Sequence, residues 1–151
     1  MNRLQYYLAR FLGGTSGTNS PEMATMAIID DIRRSKEDIK VVTCSAGMNY
    51  WNEDVINALR DKKEERPELT IEFIVGPEFS NSGLGTLENE GALSILHLKE
   101  KPPCDCRIID FSDTYASNHG GNGRERKYCW TFGNKKAFDD RIRYYSKLKW
   151  L

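Results

Sequence analysis

Ile39-Lys40-Val41-Val42-Thr43-Cys44-Ser45 and Ile71-Glu72-Phe73-Ile74-Val75-Gly76-Pro77 bracket a segment of helical period, and this stretch decides the fold. The first run is rich in β-branched residues and reads as a buried strand ending in the loop Ala46-Gly47-Met48-Asn49-Tyr50. From Trp51 onward Val55, Ala58 and Leu59 share one helical stripe. The charged run Asp61–Arg66 then carries that helix into solvent before Pro67 stops it. In the second run Leu69, Ile71, Phe73 and Val75 alternate with polar Thr70 and Glu72. Strand, helix, strand is the unit of a layered α/β domain.

Working upstream, Ser20-Pro21-Glu22 combines a cap side chain, a first-turn proline and an early carboxylate. It opens a helix to about Ser35 that buries Ile28, Ile29 and Ile32. Residues 2–12 read as a short amphipathic helix with Leu4, Tyr7, Leu8 and Phe11 at helical spacing, ended by Gly13-Gly14. Residues 13–19, rich in Gly, Ser and Thr, read as a flexible linker. Downstream, the spacing predicts a short helix over Gly83–Gly91 and a strand over Leu93–Leu98, with Pro102-Pro103 as a break. Short strands follow at Arg107–Phe111, Asp113–Ser117 and Lys127–Phe132, the last two joined through the glycine-rich loop His119–Gly123. Asn134 caps a final helix with the stripe Phe138, Ile142, Tyr145 and Leu148. The expected fold class is α/β: a mixed β-sheet flanked by helices, with residues 1–19 an N-terminal helix and linker and residues 20–151 one domain.

The 151 residues carry 22 Lys+Arg and 22 Asp+Glu, a net charge of zero, which argues against a generic polyanion binder held by long-range attraction. With 39% hydrophobic and 29% charged residues, the chain has the composition of a folded domain rather than a disordered tail. No apolar run approaches the ~20 residues of a membrane span, and no secretory signal is evident. Cys44, Cys104, Cys106 and Cys129 form no CxxC pair, so a reduced, cytoplasmic setting is expected. The zero conceals an asymmetry: residues 1–118 hold 13 basic and 19 acidic residues, net −6, and residues 119–151 hold 9 basic and 3 acidic, net +6. The basic excess marks a candidate address for an anion.

Two histidines limit acid–base chemistry. His97 sits in a strand pattern, and His119 lies at a polar turn from which a side chain can reach a ligand. Cys104, Cys106, Cys129 and His119 have the ligand chemistry of zinc, but their spacing is scattered, and neither a metal nor another cofactor is expected. Asn118-His119-Gly120-Gly121-Asn122-Gly123, followed by Arg124, Arg126 and Lys127, places backbone N–H groups beside cations, a combination suited to phosphate. It is neither a Walker loop nor a dinucleotide fingerprint.

Several segments together resemble a phospholipase D-like domain. Ala27-Ile28-Ile29-Asp30-Asp31-Ile32, Asp38-Ile39-Lys40-Val41-Val42, Trp51–Leu59 and Ile71–Pro77 resemble its first half. Cys106-Arg107-Ile108-Ile109-Asp110 and the helix from Phe138 to Trp150 resemble its second. The catalytic members carry a His-x-Lys-x4-Asp motif of nucleophile or acid, phosphate-gripping lysine and supporting aspartate. With Asp110 as that aspartate, Pro103 takes the histidine position and Asp105 the lysine position. His97-x-Lys99 is a second possible alignment, but it places Cys104 at the aspartate and Pro102-Pro103 within the strand. Ala116-Ser117-Asn118 echoes the later Gly-Ser-x-Asn element.

The resemblance therefore implies a single unit with a degenerate motif, one that pairs with a second copy as a homodimer. The N-terminal helix is a candidate to cover that interface. The implied function is a non-catalytic module that senses an anionic or phosphate-containing ligand or contacts a protein partner. Its candidate pocket combines Arg107, Asp110, Asn118, His119, Arg124, Arg126 and Lys127. Two alternatives stand beside it: a dimeric phosphodiesterase or nuclease using His119 from each subunit, and nucleic-acid binding without chemistry.

Overall fold

Strands β2 (Asp38–Thr43) and β3 (Thr70–Val75) pair in parallel, Ile39 beside Ile71 and Val41 beside Phe73, with helix α3 (Glu53–Glu65) as the crossover. The computed structural model describes residues 3–18, 20–43, 51–110, 113–118 and 127–150; for residues 15–16, 113–118 and 127–130 it describes the backbone alone. The other described elements are α1 (Arg3–Leu12), β1 (Gly14–Thr18), α2 (Pro21–Arg34), α4 (Ser82–Asn89), β4 (Ser94–His97), β5 (Asp105–Ile109), β6 (Asp113–Asn118), β7 (Lys127–Phe132) and α5 (Lys135–Lys149). They build one mixed seven-stranded sheet in the order β1-β7-β6-β5-β2-β3-β4, parallel among β2, β3 and β4 and antiparallel elsewhere.

Alternation along the central strands divides the core between two faces. Ile39, Val41, Ile71, Phe73, Val75 and Ile109 belong to one cluster with Ile28 and Ile32 of α2, Val55 and Leu59 of α3, and Leu84 and Leu87 of α4. Val42, Ile74, Cys106 and Ile108 form the second cluster with Tyr145 and Leu148 of α5. Because helices cover both faces, Val41-Val42 on β2, Phe73-Ile74-Val75 on β3 and Ile108-Ile109 on β5 are apolar toward both sides of the sheet. Side-chain oxygens of Ser20, Asn52, Asn81 and Asn134 cap α2, α3, α4 and α5, accepting from Met23, Val55, Leu84 and Ala137 N–H groups.

Two expectations are corrected. Residues 14–18 are not a flexible linker but an edge strand, antiparallel to β7 with Gly14 opposite Phe132 and Thr18 opposite Tyr128. The stretch carries no strand pattern of its own; the open edge of β7 supplies the pairing. Gly13 and Gly14 adopt φ of 73° and 142°, which lets the chain turn sharply out of α1 into that strand. In addition, β5 begins at Asp105 rather than Arg107, because Asp105 pairs with Ser117 and Cys106 with both Ala116 and Val42. Phe111 lies outside the described residues.

Candidate functional site

On β5, Asp105, Arg107 and Ile109 face α2 and α3, whereas Cys106 and Ile108 face α5; all five residues are buried. Arg107 is 2% exposed and Asp31, on α2, also 2%. The Arg107 Nε–H donates to Asp31 Oδ2 at 2.8 Å, and a terminal guanidinium nitrogen donates to the same oxygen. Asp31 also receives Arg34, and the neighbouring Asp30 receives both Arg10 Nη1, at 2.8 Å and 3.0 Å to its two oxygens, and the Tyr6 hydroxyl at 3.0 Å. Burial, then the charges of Asp31 and Asp30, push the Tyr6 phenol far above its ordinary value. Burial opposes the charge on Arg34, but Asp31, Tyr6 and Asp30 outweigh it and raise its pKa. Three guanidiniums on two carboxylates thus form an ion-pair knot that ties α1, α2 and β5 together.

Asp110 follows β5 with a left-handed φ of 48°, a conformation that Asp tolerates better than most residues. Its carboxylate accepts from the backbone N–H groups of Lys36 at 2.7 Å, Glu37 at 2.7 Å and Asp38 at 3.0 Å. It staples the end of β5 to the turn before β2. Sheet register places Asp110 beyond Asp113 at one end of β5, while Asn118 lies beyond Asp105 at the other. The five residues of β5 lie between the two, six steps or roughly 20 Å along the strand, so the fold does not bring Asp110 to Asn118. It does bring Asn118 and Lys127 together, as directly paired residues of β6 and β7. His119, Arg124 and Arg126, in the connection that this pair closes, lie outside the described residues.

The sheet end that holds the Asn118–Lys127 pair also holds Asp105, 3% exposed, and Thr43, 1% exposed, at the carboxyl end of β2. A cavity of about 10 Å³, room for a single water, is lined by Thr43, Trp51, Asp105 and Arg107 among others. Thr43 Oγ1 is buried with no hydrogen-bond partner among the described residues. On its other side Trp51 borders an open groove of about 540 Å³ between the starts of α3 and α4, with Asn52, Arg60 and Asn81 in its walls. Asn81 Nδ2 donates to the Trp51 carbonyl at 3.1 Å, which fixes the two helix starts relative to each other. Grooves outside the carboxyl ends of parallel strands are the usual ligand positions of open α/β sheets. The sequence marks Trp51 only as the point where helical period returns, and it does not single out Asn52 or Asn81; an asparagine ahead of each helical period was the available signal.

Elsewhere, His97 is exposed on edge strand β4. Burial, then neighbouring Cys104, pushes the Cys106 thiol up to about 12, as expected for a small core side chain. No cluster of three or more metal-ligating side chains occurs among the described residues, and no helix among them is long and apolar enough to cross a membrane.

No protein-family model and no curated protein matches the sequence. Solved structures do match the fold. A phospholipase D family member, Nuc from Salmonella typhimurium, superposes with a TM-score of 0.69 at 12% identity, covering 90% of this chain and 93% of that one. NucT from Helicobacter pylori gives 0.69 at 16% identity, covering 90% and 95%. TrmBL2, an archaeal chromatin protein with a novel mode of DNA binding, gives 0.64 at 13% identity; 89% of this chain is covered, but it spans only 51% of TrmBL2. Identities this low carry the architecture alone, and that architecture is phospholipase D-like, as the strand and helix segments implied.

Proposed function

We propose that this chain is a phospholipase D-like module without phosphodiester chemistry, which binds an anionic, phosphate-containing ligand in a regulatory role. The observation that carries the reading is Asp105. It stands where the resemblance calls for the phosphate-gripping lysine, and it is 3% exposed at the end of the sheet. A carboxylate there repels phosphate from the sheet end. The one strong cation nearby on β5, Arg107, is already committed to Asp31. Pro103, at the histidine position, supplies no nucleophile. An anion therefore belongs further out, on the connection that Asn118 and Lys127 close, where the chain concentrates Arg124, Arg126 and Lys127. The direct test is titration with inorganic phosphate and pyrophosphate. Saturable binding is expected, weakened by Arg124→Ala and Lys127→Ala and indifferent to His97→Ala. Binding unchanged by both cation removals refutes the assigned address.

A second reading, nucleic-acid binding without chemistry, is favoured by a separate observation. The outer side of α5 exposes Lys135, Lys136, Arg143 and Lys147 against Asp140 as its exposed acid. The DNA binding named for TrmBL2 is consistent with it. Affinity for duplex DNA that falls steeply with salt would support this reading over the first.

A further inference from the structure

Helices α2 and α3 leave between them a groove of about 760 Å³, which Tyr7 of α1 also lines. Its floor is apolar, with half-buried Met26 and Ile29 of α2 beside buried Ala58 of α3. Its rims are acidic. Asp54, Asp61 and Glu65 follow at i, i+7 and i+11 along α3, a run of about 16 Å or three helical turns, and Glu22 joins them from α2. All four carboxylates are exposed. Of the cations in the walls, Lys62 is held by the Arg33 carbonyl at 2.7 Å and by Glu65 at 3.6 Å. Glu22 and Asp54 lie in first turns, where they favour their own helices. Asp61 and Glu65 have no such role, and Glu65 stands at the end of α3 that the helix dipole makes least favourable for a carboxylate.

The outward side of α1 extends this surface. Leu4, Leu8 and Phe11 recur at i, i+4 and i+7 and are 65%, 48% and 79% exposed, while Tyr6 and Arg10 tie the inward side to Asp30. Tyr7 is the point at which stripe and groove meet. Contiguous exposed apolar side chains mark an interaction surface, and here the acidic rim selects its partner. The rim repels phosphate, so neither nucleic acid nor an anionic membrane suits this face. A small polycation satisfies the rim but leaves the α1 stripe uncovered. A helix with one apolar face flanked by Lys and Arg meets both features, and the three-turn run of carboxylates matches the length of such a helix.

We propose that this face docks a cationic amphipathic helix of a partner protein. Its apolar side chains enter the floor formed by Met26, Ile29 and Ala58 and cover Leu8 and Phe11, while its flanking Lys and Arg pair with Asp54, Asp61 and Glu65. The surface is separate from the Asn118–Lys127 address, so either can fail without the other. The probe is a labelled synthetic peptide of about four helical turns, with Leu at i, i+4, i+7 and i+11 and Lys on both flanks, titrated into the full chain by fluorescence anisotropy. Saturable binding is expected that weakens as salt rises and falls at least about tenfold for a scrambled peptide of the same composition. Asp61→Lys with Glu65→Lys, and separately Leu8→Glu with Phe11→Glu, are each expected to weaken it about tenfold with unchanged circular dichroism, since all four side chains are exposed. A peptide with Glu in place of Lys should prefer the Asp61→Lys/Glu65→Lys chain to wild type. Lys127→Ala should leave peptide binding as it is. No saturable binding, equal binding of the scrambled peptide, or indifference to either double variant overturns the proposal. So does flotation on phosphatidylserine vesicles that Leu8→Glu/Phe11→Glu abolishes, which would assign the face to a membrane.

Discussion

Arg107 in the middle of β5 and Asp31 on α2, 76 residues apart in sequence, are buried against each other and joined through two guanidinium N–H donors to one carboxylate oxygen. Removing one partner of a buried pair leaves the other charge without compensation. Arg107→Ala is expected to cost about 3 kcal/mol, at the lower end for such a loss because Arg34 still pairs with Asp31. Urea unfolding measures it. Arg107→Met together with Asp31→Leu should recover a large part of that loss.

The same pair shows what a sequence can and cannot disclose. A cation between Cys106 and Ile108 invites a ligand-binding reading, because its true partner lies on a distant helix. The strand, helix, strand segment from Ile39 to Val75 was legible, since β-branched runs and a helical stripe are local signals. Strand β1 was not: Gly14-Thr15-Ser16-Gly17-Thr18 becomes a strand only through pairing with β7. The stripe on α1 was legible, but its outward direction was not, because it is fixed by Tyr6 and Arg10 meeting Asp30. At the candidate site the Asn118–Lys127 pairing followed from the expected hairpin, whereas the separation of Asp110 from it depends on sheet register.

Asp110 holds three backbone N–H groups, so its loss leaves three donors to find other partners. Asp110→Ala is expected to destabilise by about 2–3 kcal/mol, measured by chemical denaturation. Asp110→Gly should cost less than Asp110→Ala, because glycine adopts the φ of 48° without strain.

Asn81 both caps α4 at Leu84 and donates to the Trp51 carbonyl. Asn81→Ala is expected to cost about 1–2 kcal/mol and to alter Trp51 fluorescence, whereas Asn134→Ala, which removes only a cap, should cost about 1 kcal/mol without that optical change.

Burial alone would raise the Glu72 carboxyl, but hydrogen bonds from Tyr145 and Lys149 hold it below its ordinary value. A folded-state pKa below the unfolded one contributes stability that is present above the unfolded value and lost as pH falls through the folded one. Glu72→Gln should therefore flatten the acid limb of a stability-versus-pH curve, by under about 1 kcal/mol because solvent screens this partly exposed pair.

Cys106, its thiol raised to about 12 by burial, should resist a thiol reagent at pH 8 in the folded protein and react fully once unfolded. Mass-spectrometric mapping of the labelled cysteines reads the difference.

With a buried Asp105 at the lysine position and Pro103 at the histidine position, no phosphodiester chemistry is expected of this phospholipase D-like fold. The most direct measurement is turnover of bis-p-nitrophenyl phosphate by the purified wild-type chain, beside His119→Ala. The expected result is no hydrolysis above buffer from either protein, under conditions in which wild type still binds phosphate. Turnover by wild type that His119→Ala abolishes would overturn the non-catalytic reading and establish the dimeric phosphodiesterase in its place.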